Sequence, residues 1–226
     1  MGTITGAQII DKVAVALLDT NNLKWARTEL LNYINEAQRQ VVALQPHSNS
    51  TRQSVQLTTG TRQALPTGGY AVLDITRNMG TNGSTPGRAI RQTSRTNMDA
   101  FMPDWHSTTA SAVIHNFLID EQEPSAFWVY PPSTGTTYVE LVYAKPPTAL
   151  AAESDAIALS DTYEPAVVDY VMSRAHSKAV QYAGGPELAA RYYQNFIDFL
   201  GAKDMMRQAN TPAGNLGRAA TPGTNT

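Results

Sequence analysis

The chain has 226 residues, 42% of them hydrophobic and 16% charged, with a formal charge of −2, the profile of a globular protein of one large or two small domains. The absence of cysteine excludes disulfides, thiolate nucleophiles and cysteine-based zinc sites, and the near-neutral charge argues against a sequence-independent nucleic-acid binder, which carries a basic stripe. No stretch approaches the ~18 uninterrupted apolar residues of a membrane span; the most apolar early run, IIDKVAVALL, is broken by Asp11 and Lys12, so neither a signal peptide nor an anchor is expected.

Over residues 5–18, Ile9, Ile10, Val13 and Leu17 predict a first amphipathic helix, stopped by the polar turn at 19–22. The clearest helical period follows over about 26–44. Leu30, Ile34, Ala37, Val41 and Leu44 recur every three or four residues and form one stripe, widened by Leu31 and Val42. Trp25 reads as a core anchor at the helix entrance, and Pro46 disfavours helical geometry in the residue before it.

From Ser54 the period changes to alternation and short apolar runs, which marks a β region. SVQLT, RQALP and YAVLDITRN are strand candidates, and GTNGSTPGR is a loop without the Gly-Lys-Ser/Thr ending of a phosphate-binding loop. RAIRQT predicts another strand, after which Ser94 caps a short helix or turn through 98–101. VIHNFLID, AFWVYPP and TYVELVYAKPP predict a three-stranded antiparallel meander. In its last strand Tyr138, Glu140 and Val142 oppose Val139, Leu141 and Tyr143. Bulk on both faces points to a sandwich or small barrel.

A third long helix opens near 161–165, with Thr162 as cap and Pro165 in the first turn. Its stripe is Val168, Val171, Met172, Ala175, Ala179 and Tyr182. Gly184-Gly185-Pro186 ends it and starts another, running from 187 to about 208 with Leu188, Tyr192, Tyr193, Phe196, Ile197 and Leu200 on its apolar face. The predicted fold is therefore α+β: two N-terminal helices (1–46) and two C-terminal helices (151–209) form one bundle, with an antiparallel β-sandwich or small barrel (47–150) inserted between them. The remaining segment, 210–226, is too poor in apolar residues to fold alone and reads as a flexible or docking tail.

The total charge hides an asymmetry. Arg52, Arg62, Arg77, Arg88, Arg91 and Arg95 face one acid, Asp74, whereas from Thr96 to Glu164 acids dominate and Lys145 stands alone. Such charges are either solvated surface or unlike faces that meet between neighbouring copies. On the second reading Arg88, Arg91, Arg95, Asp120, Glu121 and Glu123 are candidate subunit-interface residues. The histidines, His47, His106, His115 and His176, lack metal-ligand spacing, and no nucleophile elbow, Walker A or dinucleotide fingerprint occurs. No catalytic, cofactor or metal site is expected. Asp120, Glu121 and Glu123 could imitate paired catalytic acids, and Trp105, Phe127, Trp128 and Tyr130 could stack on a sugar or a base.

Four stretches carry a resemblance. WARTELLNYINEAQRQVV from Trp25, AFWVYPPSTGTTYVELVYAKPP, YEPAVVDYVMSRAHSKA and ELAARYYQNF resemble, in order, the head-to-tail adaptor or tail tubular proteins that sit beneath the portal ring of short-tailed bacteriophages. The middle of the chain matches only as generic β sequence. The resemblance implies a structural virion protein, not an enzyme and without cofactors, that forms a homo-oligomeric ring, usually of twelve. It implies docking on the portal protein, a tail or nozzle protein as second partner, and phage DNA passing through the channel without specific binding. It places the protein at the head-tail junction of the virion, assembled in the host cytoplasm. On the polar face of the second helix, Asn32, Asn35, Glu36, Gln38 and Arg39 become candidates for contacting a neighbouring subunit, and Asn215, Leu216 and Arg218 for portal docking by the tail. The alternatives are a head-closure or tail-completion protein of another phage type, or a carbohydrate-binding module.

Overall fold

The computed structural model describes residues 2–120, 122–178 and 184–210. The fold is α+β, and the chain divides into two compact units: Met1–Gln45 with Thr148–Thr226, and Pro46–Pro147.

In the helical unit, α1 (Gly6–Ala16) starts at a capping box: the Thr5 hydroxyl accepts from the Gln8 amide while the Gln8 side chain accepts from the Thr5 amide. It ends in a Schellman arrangement, with Leu18 N–H donating to Val15 O and Asp19 N–H to Ala14 O. Helix α2 (Arg27–Leu44) follows. Leu30, Ile34, Ala37 and Val41 are fully buried, in one core with Ile9, Ile10 and Val13 of α1 and Val167, Val171 and Ala175 of α4 (Glu164–Lys178). Trp25 is buried, and its indole N–H donates to Ala175 O at 3.2 Å. Leu44 departs from the expected stripe and is half exposed, because its neighbour Gln45 takes the inward place: Gln45 donates to Leu200 O at 2.6 Å and accepts from the Tyr163 hydroxyl at 3.0 Å.

Helix α5 (Gly185–Asn210) packs chiefly on α4. Phe196 and Leu200 are buried, whereas Leu188 and Tyr193, expected on the same face, are exposed; contact with one helix needs a narrower stripe than contact with two. The cap before α4 is Ser160 rather than Thr162. Its hydroxyl accepts from Thr162 N–H at the head of a 3-10 turn, Asp161–Tyr163, which leads directly into α4. Ala179 and Tyr182 lie outside the described residues.

The β unit holds two sheets, of order β1-β7-β3 and β2-β6-β5-β4. The first contains β1 (Ser50–Gln56), β7 (Tyr138–Ala144) and β3 (Ala71–Asn78), all antiparallel. The second contains β2 (Thr59–Ala64), β6 (Ala126–Thr134), β5 (Asn116–Ile119) and β4 (Arg91–Gln92), with only β4 and β5 parallel. Val72, Ile75, Val139, Leu141 and Tyr143 from one sheet and Phe117, Phe127 and Val129 from the other form a single core, which makes the unit a sandwich.

The expected meander is therefore corrected. β5 and β6 form a hairpin, but β7 leaves β6 through the turn at Gly135 (φ 86°) and lies between β1 and β3. Alternation says which side chains point inward but not which strand supplies the hydrogen-bond partners. RAIRQT is likewise mostly a crossover: Ala89 bridges to Arg77 in the first sheet, and Arg91 pairs with Asn116 in the second. Helix α3 (Arg95–Phe101) is capped by the Ser94 hydroxyl, as predicted, but begins three residues before Met98.

Candidate assembly surfaces

The basic and acidic segments meet first within the β unit itself. Glu140 on β7, largely buried, lies 3.1 Å from both Arg52 on β1 and Arg77 on β3, one strand to each side. Burial pushes the Glu140 carboxyl up, but the two guanidiniums outweigh it and hold it below the usual carboxylate range. Arg62 pairs with Glu123, and Arg95 lies 3.5 Å from Asp99 and 3.7 Å from Asp120. Asp120, Glu123 and Arg95 are thus engaged inside one chain. Arg88 and Arg91 are exposed and meet no acid among the described residues. Backbone bonds fix both: Arg88 O accepts from Asn78, and Arg91 N–H donates to His115 O. Glu121, Asn215, Leu216 and Arg218 lie outside the described residues.

On the polar face of α2 the structure divides the expected set. Glu36 pairs with Arg174 at 3.1 Å across to α4, and Asn32 and Arg39 are exposed. Asn35 and Gln38 face inward instead, Gln38 completely buried, and are withdrawn as surface candidates. Asn35 exchanges two hydrogen bonds with the backbone of Leu150, and Gln38 accepts from Ala158 N–H at 2.7 Å.

One surface was not anticipated from sequence. Leu18 is 92% exposed and Leu23 87%, on a turn organised by Asp19, whose carboxylate accepts from the amides of Leu23, Lys24 and Trp25. The Trp25 bond leads the effects that hold the Asp19 carboxyl below its ordinary range. Leu18 has φ 55°, a left-handed conformation that costs an L side chain about 1–2 kcal/mol and usually falls to glycine at this helix-end position. The polar run at 19–22 signalled the turn; nothing in it signalled that two leucines would be presented to solvent.

Two of the aromatic candidates are packed into the fold. Phe127 belongs to the sandwich core, while Trp105, 1% exposed, donates to Asp99 and packs with Met98 and Leu118. Among the described residues no group of histidine and acidic side chains could hold a metal ion, and no helix is long and apolar enough to cross a membrane. No curated protein sequence matches the chain. A family model described as SU10 adaptor protein matches residues 4–220. That match spans nearly the whole chain and agrees with the resemblance carried by the four stretches, and so the chain belongs to the SU10 adaptor protein family, a family of phage structural adaptors.

Proposed function

We propose that the protein forms a ring, usually of twelve copies in adaptors of this kind, that docks beneath the portal, continues the DNA channel and links head to tail. The observation that carries this reading is the family match over residues 4–220. Two surface features support it. Leu18 and Leu23 form an exposed apolar tip that the described residues leave uncovered. Arg88 and Arg91 are held in place by backbone bonds and left without an acidic partner among the described residues, which suits an acidic surface on a neighbouring copy. DNA must slide through the lumen, so a channel wall with little net positive charge is part of the proposal.

The tail completes it. Residues 211–226, with Asn215, Leu216 and Arg218, order on docking to the portal or to an adjacent subunit, with the entropic cost offset by the new interface. Electron microscopy of the purified protein mixed with its portal tests both parts. A stacked second ring is expected with the full chain, and weaker or no stacking with the chain shortened after Asn210. Absence of any ring with the full chain overturns the proposal, and unchanged docking by the shortened chain overturns the role of the tail.

A further inference from the structure

The outer face of the second sheet carries a cleft that the adaptor reading does not use. Helix α3 and the loop after it cover Leu118 and part of Trp128, and beside them a cavity of about 330 Å³ remains. This lies at the lower end of the ~300–1,000 Å³ typical of small-ligand pockets. The floor is apolar: Trp105, Leu118 and the half-buried Trp128. Arg95, Asp120, Gln122 and His106 form the rim.

The rim groups retain hydrogen-bonding capacity. The Arg95–Asp120 separation of 3.7 Å is a loose pair, so both the guanidinium and the carboxylate can still meet a ligand. Asp120 Oδ1 accepts from the Gln122 amide N–H at 2.9 Å, which fixes the carboxylate. His106 is stacked on Trp105 with ring centroids 3.6 Å apart, and its Nδ1 is engaged by the Thr61 hydroxyl, which leaves Nε2 for a ligand. Planar donors and acceptors thus surround an aromatic floor.

Charge selects among ligands. Among the described residues of the lining Arg95 and Asp120 cancel, which offers no net attraction to a simple anion or cation. Asp99 lies against Arg95, and Glu123 is paired with Arg62 outside the lining, so the cleft carries no surplus positive charge for the phosphates of a nucleotide or a single strand. What remains is a neutral ligand with an apolar face for stacking and closely spaced hydroxyls for the rim. We propose that the cleft formed by Trp105, Trp128, Arg95, Asp120, Gln122 and His106 binds a neutral sugar ring, stacked on Trp128 with vicinal hydroxyls on Asp120 and Arg95. The site lies wholly within the β unit and does not rest on the ring proposal.

The test uses the full chain and a panel of methyl glycosides of glucose, galactose, mannose, N-acetylglucosamine and rhamnose, followed by saturation-transfer NMR and tryptophan fluorescence. At least one glycoside should bind saturably, with Kd in the range of about 0.1–10 mM expected of a small monovalent ligand. Asp120→Asn keeps the aromatic packing and should weaken binding about tenfold, as expected for loss of a hydrogen bond to a charged group; Trp128→Ala should weaken it at least as much. Met206→Ala, at an exposed position of the helical unit, should leave it unchanged. The proposal is overturned if no glycoside binds, if binding is equal in wild type and Asp120→Asn, or if thymidine oligonucleotides bind the cleft more tightly than every glycoside.

Discussion

Asn35 in the middle of α2 holds Leu150, which lies beyond the β unit in sequence, by a reciprocal pair of hydrogen bonds: its amide donates to Leu150 O at 3.1 Å and its oxygen accepts from Leu150 N–H at 2.8 Å. Both residues are buried. This carboxamide takes the place of a β-ladder partner for a backbone that re-enters the helical unit without secondary structure of its own. Asn35→Leu keeps the branched shape of the side chain but leaves two buried backbone groups unpaired, so a loss of about 2–4 kcal/mol is expected. Urea unfolding followed by circular dichroism measures it; a loss within error of zero would show that the bonds are replaceable by water.

Leu18 separates stability from assembly. Leu18→Gly relieves the left-handed strain and should stabilise the monomer by up to about 1 kcal/mol, read as a higher melting temperature. The same change removes the most exposed apolar side chain of the tip, so ring formation on the portal should weaken. A variant that is more stable and assembles normally would remove the tip from the interface.

Glu140 predicts a pH dependence. Its folded pKa is depressed by Arg77 and Arg52 in spite of burial, so the unfolded state binds more protons. The contribution is fully present above the unfolded glutamate value of about 4.3 and disappears as pH falls through the lower folded value. Glu140→Gln should therefore cost about 1 kcal/mol at pH 7, since both arginines are partly exposed, and the difference from wild type should shrink at low pH. Unfolding curves at pH 7 and pH 3 check this; a difference that grows on acidification contradicts it.

Arg88 and Arg91 carry the charge prediction. Reversing both to glutamate should leave the melting temperature within about 2 °C, because substitutions at exposed sites usually change stability little, and should weaken the ring. Raised salt should weaken the wild-type ring in the same direction. Assembly indifferent to both treatments would return these arginines to ordinary solvated surface.

Periodicity alone placed the four long helices, divided the side chains of β7 between two faces, and gave most of the apolar core positions of α2, because each depends on spacing along the chain: apolar residues three or four apart must share a helix face, and alternate residues must share a sheet face. The wording of three helical segments and of the β6–β7 segment pointed to the adaptor family for the same reason, since it is a property of the chain and not of its packing. Tertiary structure alone decided that β7 joins β1 and β3, that Asn35 and Gln38 face inward, and that Arg62 and Arg95 meet their acids within one chain. Each of these joins residues far apart in sequence, where a polar side chain has the same hydropathy whether water or a distant backbone carbonyl receives its hydrogen bond. The spacing of Ile9, Ile10, Val13 and Leu17 left Leu18 off the stripe of the first helix without saying where it would point; only the folded turn, held by Asp19, presents it to solvent.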